Sequence, residues 1–297
     1  MIWPFLALTG AVAQAAYSTG VKVLLPRVSP YFLAGSSFLV ASGVLLFLSS
    51  FAGFPVLSPG FLPAVAVTVA INIVATLLFY RALARSDLSL CLPMLAFTPV
   101  FLLLTSFVIL GEVPTPAGTL GILLVTAGSY LLAAREVPSC PSALLAPVFT
   151  LFRDLGVRMM LVVAFLYSIS VNYDKVVVET SDPVFGSAVV LGLLGVSFLA
   201  GAGAGLLVGK RLVPTPGNPR GILLLFLALG LILAIEAISI NLAYTFSIVP
   251  YVISIKRLSI FFAVLFGGYF LSEGGIRSRA AGSLVMVAGT VLIALWG

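Results

Sequence analysis

The chain has no histidine among its 297 residues, which excludes a His-based metal centre and an imidazole general base. Its two cysteines, Cys91 and Cys140, are isolated and lack metal-ligand spacing, so neither a disulfide nor a zinc site is expected. Charge is scarce, at 8% of residues. No basic block is long enough to follow a phosphate backbone, so the net charge of +6 points to anionic lipid and not to nucleic acid. The first apolar run lacks an early positive stretch, and Lys22 comes only at its far end. It reads as a mature spanning helix and not as a cleaved signal. Paired acids and a nucleophile beside a base are also missing from the apolar runs. An intramembrane enzyme is therefore the weaker reading, and no cofactor is expected.

What is present is apolar: 61% hydrophobic residues and a mean hydropathy of +1.26. A soluble domain of this length needs no such surface, so the fold class is an all-α polytopic membrane protein. The runs are continuous and not alternating, which favours helices over a β-barrel. Ten can be counted, near 3–25, 31–51, 63–84, 88–110, 116–134, 158–179, 185–208, 221–245, 249–271 and 278–296. Connections are short and carry turn formers such as Val28-Ser29-Pro30. Residues 136–157 form the longest link, and its apolar middle, 143–152, is too short to span; an interfacial linker is expected there. It separates a first unit, 1–135, from a second, 158–297.

Basic residues occupy only the odd-numbered connections: Arg27, Arg81, Arg85, Arg135, Arg153, Arg158, Lys210, Arg211, Arg220, Arg277 and Arg279. The even-numbered ones hold acids, among them Glu112, Glu179 and Asp182. The positive-inside rule then puts the odd connections in the cytoplasm and both termini outside the cell membrane. The two halves also align, with no gap between residues 82–133 and 243–294. One constant offset matches Ala82 with Ala243, Leu110 with Leu271, Glu112 with Glu273, Gly121 with Gly282 and Gly128 with Gly289. A second matches Lys22 with Lys175 and Pro30 with Pro183. Five helices per half make the copies inverted, as in alternating-access transporters with a site near the midplane.

Two adjacent cations, Lys256 and Arg257, interrupt the ninth run. A charge at such depth costs at least ~2.5 kcal/mol, so a polar cavity is expected around them. Helical rise puts Lys256 roughly 10–12 Å from the outer face and Glu236 roughly 13–14 Å. Glu236 can neutralise either cation, release it to a substrate, or take up a coupling proton. In the equivalent fourth run Leu95 and Ala96 stand in for the cations, and Pro93 and Pro99 break the helix. Gln14, Tyr17, Asn72, Asn241 and Tyr244 are candidates for pocket lining, with interhelical bonding as the competing role. Lys22 and Lys175 are candidate gates, one per mouth, with Asp174 and Glu179 beside the second; snorkelling or a local ion pair is the plainer account. Glu112 and Glu273 are expected to cap the helices that follow them. The glycines at 121, 128, 282 and 289, and those at 201, 203, 205 and 209, suggest close helix packing.

The repeat ends, Leu110-Gly111-Glu112 before Gly121 and Gly128 and Leu271-Ser272-Glu273 before Gly282 and Gly289, resemble the drug/metabolite transporter superfamily, specifically its ten-helix EamA-type members. The resemblance spans the whole chain. It implies ten helices around a central pocket, no ATP-hydrolysing domain and secondary transport of a small metabolite. The Lys256-Arg257 pair also resembles one in the ninth helix of plastid sugar-phosphate translocators, where it binds substrate phosphate. The expected function is secondary transport of a small anionic or zwitterionic metabolite by a monomer or homodimer, in contact with lipid and with a proton as candidate coupling ion. A flippase for a phosphorylated lipid carrier is the alternative.

Overall fold

The computed structural model describes residues 2–24, 28–83, 92–133, 154–207, 219–270 and 280–297, and these form ten helical spans. They are α1 (Trp3–Leu24), α2 (Pro30–Ala52), α3 (Phe61–Leu83), α4 (Thr98–Leu110), α5 (Pro116–Ala133), α6 (Leu155–Glu179), α7 (Pro183–Leu207), α8 (Pro219–Tyr244), α9 and α10 (Ala280–Trp296). The ninth is in two pieces, α9a (Val249–Lys256) and α9b (Ser259–Phe270), and a 3-10 segment, Leu92–Phe97, leads into α4. Five helices are long and apolar enough to cross a membrane by length and composition, and three more are shorter apolar helices.

Proline starts many of these helices. Pro30, Pro116, Pro183 and Pro219 are first residues, where a missing N–H costs nothing. The residue before two of them supplies the cap. Ser29 Oγ accepts from Phe32 N, and Asp182 accepts from Val184 N at 2.7 Å and Phe185 N at 2.9 Å. Asp154 does the same for α6, accepting from Gly156 N and Val157 N. That helix starts at Leu155, three residues inside the expected linker. The linker's apolar middle, 143–152, lies outside the described residues, as do Cys91, Cys140, Glu273, the 25–27 and 84–91 connections, and Arg135, Arg153, Lys210, Arg211, Arg277 and Arg279.

The most extensive packing is α5 on α10, α2 on α7, α3 on α6 and α1 on α8. The first is made by the glycines spaced by seven. A Cβ on Gly121 would lie 2.8 Å from Gly289 O, and one on Gly289 would lie 2.7 Å from Gly121 O. Gly128 and Gly282 meet in the same way. The α7 stripe is different: Gly203 has nothing within 4 Å, and the close approaches to α2 come from Gly192 and Gly195 instead.

One face of the bundle carries the even connections. Ser58 N donates to Thr180 O at 2.9 Å, joining two of them. Thr115 donates from N to the Tyr251 hydroxyl and from Oγ1 to Trp296 O, and Tyr251 stacks on Trp3. Both ends of the described chain therefore lie at this face.

Candidate functional site

The two halves of α9 define the site. α9a is eight residues long, and its ladder ends where Arg257 N bonds to Ile253 O and Ser254 O and Leu258 N to Ile255 O. α9b begins at Ser259. No proline or glycine marks this break, so the continuous ninth helix of the sequence reading is corrected. The break leaves Lys256 and Arg257 at a helix C-terminus, where the backbone dipole favours cations. α4 starts at Thr98, which matches Ser259 at the same offset that matches Ala82 with Ala243. Both helices thus break at one repeat position, α4 with Leu95-Ala96 before the joint and α9 with Lys256-Arg257.

A cavity of about 770 Å³ lies between these breaks. Gln14, Tyr17, Asn72, Glu236, Asn241, Tyr244, Lys256 and Arg257 all line it, and so does Asp174. Lys256 Nζ stands 2.5 Å from Glu236 Oε1, so α9a and α8 meet through a buried ion pair. The pairing forms with Lys256, not Arg257. Among the described residues no carboxylate lies within ion-pair distance of Arg257, and its buried Nε has no hydrogen-bond partner. Tyr167 lines the same cavity as Arg257. A guanidinium without a counter-charge on the wall of a membrane-embedded cavity is costly, and an anion in the cavity is the natural complement.

The opposite wall is a polar network between α3 and α6. Thr68 Oγ1 donates to Asp174 Oδ1 at 2.6 Å, and Asn72 Nδ2 donates to Ser170 Oγ and Thr68 O. Thr68, Asn72 and Thr76 recur every fourth residue on α3, and Tyr167, Ser170 and Asp174 share one face of α6. Those two polar stripes were visible in the sequence, although only Asn72 and Asp174 were singled out from them. Asn241 Nδ2 donates to Ser187 Oγ at 2.5 Å, tying α8 to α7 at the cavity wall. Gln14 bonds locally to Ser18.

Lys175 faces away from the cavity. Its Nζ lies 2.6 Å from Glu112 Oε1 and 3.8 Å from Glu179, and it donates to Ser247 O. Glu112 Oε2 accepts from Ser106 Oγ at 2.5 Å and from Val249 N at 2.9 Å. Two expectations are corrected here. Asp174 is turned into the cavity and is no partner of Lys175. Glu112 does sit at a helix N-terminus, but it is that of α9a and not α5; the first turn of α5 is capped by Thr115 Oγ1, accepting from Gly118 N. The side chain of Lys22 lies outside the described residues. Among the described residues no group of three or more Cys, Asp or Glu side chains is placed to hold a metal ion.

A model of the EamA-like transporter family matches residues 1–134. No curated protein sequence matches the chain. One solved chain, titled only "Crystal structure of protein", superposes with a TM-score of 0.75 over 99% of this chain and 97% of its own. At 15% identity that likeness concerns the fold alone.

Proposed function

We propose that the chain is a member of the EamA-like transporter family, whose model matches residues 1–134, and that it is a secondary transporter of a small anionic or zwitterionic metabolite working by alternating access. A multi-pass membrane protein with a role in transport follows from the family. The substrate class rests on one observation: Arg257 brings a positive charge to the cavity with no acid beside it among the described residues, while Lys256 is already neutralised by Glu236. An arriving anion would bind Arg257 and then compete with Glu236 for Lys256. Asp174, on the far wall, suits the cationic end of a zwitterion.

The alternating parts are two inverted halves, 1–135 and 158–297. Packing supports this division, because matching each helix with the one five places on turns the α3–α6 pair into the α8–α1 pair. The even-connection face is the outer one, by the charge of the odd connections. In this conformation it is fastened by the Lys175–Glu112 pair. α9a, about 12 Å long, joins that fastening to the site, since Glu112 holds its first N–H and Lys256 is its last residue.

Proteoliposome uptake of phosphorylated, carboxylated, zwitterionic and neutral metabolites, with and without a pH gradient, tests the reading. Saturable uptake confined to charged substrates is expected. Selective uptake of neutral compounds, with no competition from anions, would contradict it. Uphill uptake driven by pH would assign a coupling proton to Glu236 or Asp174, the acids of the cavity.

A further inference from the structure

A second cavity of about 180 Å³ adjoins the first. Tyr17, Phe38, Phe79 and Tyr167 line both, while Thr76 and Phe198 line the smaller one alone. It is walled by rings: Phe38 and Phe198 pack at 5.8 Å between centroids, tilted by 53°. An apolar protein cavity of about 150 Å³ is large enough to hold benzene. The smaller cavity therefore has the size of a six-membered ring, and aromatic walls offer such a ring the edge and offset contacts it prefers.

The two spaces meet at Tyr167. Tyr167 lines both cavities, and Arg257 lines the larger one. A ligand whose ring occupies the smaller cavity would extend past Tyr167 into the larger one, where the unneutralised guanidinium lies.

We propose that the smaller cavity is the subsite for an aromatic ring of the substrate, and that the transported compounds are anions bearing an aryl group, with the anion at Arg257. This rests on the anion-site reading above and adds the second half of the ligand. The larger cavity alone would accept many anions. The smaller one supplies selectivity among them.

Binding isotherms of the purified protein with matched pairs test the proposal: benzoate against acetate, and phenyl phosphate against inorganic phosphate. Each aryl anion should bind at least about tenfold more tightly than its partner, from the apolar area its ring buries. Ala34 lines the smaller cavity and not the larger. Ala34→Phe should fill the space and bring each pair to parity, while acetate and phosphate still bind as in wild type. Ala34→Leu, a milder filling, should give an intermediate ratio, and retained phosphate binding reports that either variant is folded. Aryl anions that bind no better than their partners, or an advantage that survives Ala34→Phe, would overturn the subsite alone. If no member of either pair binds wild type, the anion site itself is refuted and the subsite goes with it.

Discussion

Glu112–Lys175 and Glu236–Lys256 stand at opposite ends of α9a, yet they are differently satisfied. Glu112 has three partners: Ser106 Oγ and Val249 N on one oxygen and Lys175 Nζ on the other, and that lysine also donates to Ser247 O. Glu236 has Lys256 as its one partner among the described residues, and Lys256 keeps 25% of its side chain accessible against 13% for Lys175. Buried charges are tolerated where hydrogen bonds complete them. The first pair is complete and fastens three elements. The second is left open on its cavity side, as a pair must be if a third charge is to exchange into it.

The contrast can be broken most severely at the complete pair. Glu112→Gln leaves Lys175 only the longer ion-pair contact to the exposed Glu179 and weakens the hold on Val249 N, and removal of one partner from a buried pair costs ~3–5 kcal/mol. Thermal unfolding should show that loss. An impermeant thiol reagent added on the even-connection side should also label Ser170→Cys, in the cavity, faster in the Glu112→Gln background. Lys175→Met added to Glu112→Gln should recover stability but keep the faster labelling, because the fastening remains absent. Unchanged labelling in both would make the pair structural only.

Glu236→Gln should cost less, about 2 kcal/mol, because Lys256 is partly solvated. An anionic substrate should raise the unfolding temperature of this variant more than that of wild type, since it supplies the missing counter-charge. Equal ligand shifts in both proteins would mean that substrate never approaches Lys256. The smallest effect is expected from Ser106→Ala, which removes one bond to a charged group, about 1.5 kcal/mol. It should leave substrate affinity unchanged, and a drop in affinity would mean that the two pairs are not separable.

Much of this arrangement could be read from residues alone, for physical reasons that also explain the gaps. Proline at a run's start, preceded by Ser or Asp, is a local signal, and helices α2 and α7 begin where it stands. Depth along two helices joined by a tight turn is nearly local as well, which is why Glu236 and Lys256 were expected at one level. The break after Lys256 carried no such mark, for neither proline nor glycine lies there; the cations themselves gain from a helix end at that point. Glu112 was misread because its partner, Lys175, belongs to a distant helix, and an acid between two helices looks like a cap for the next one. Glycines at 121, 128, 282 and 289 were informative because partners at the same spacing face them, whereas Gly203 on α7 meets nothing. Small residues allow close packing; only the opposing helix makes use of it.

The account stands or falls on the asymmetry between the two adjacent cations. The most direct measurement is calorimetric binding of a transported anion to wild type, Lys256→Gln and Arg257→Gln. Arg257→Gln should weaken binding at least about a hundredfold, the loss of a charge-assisted contact, while Lys256→Gln, whose charge Glu236 already neutralises, should weaken it several-fold less. Wild-type affinity in Arg257→Gln would contradict the central claim.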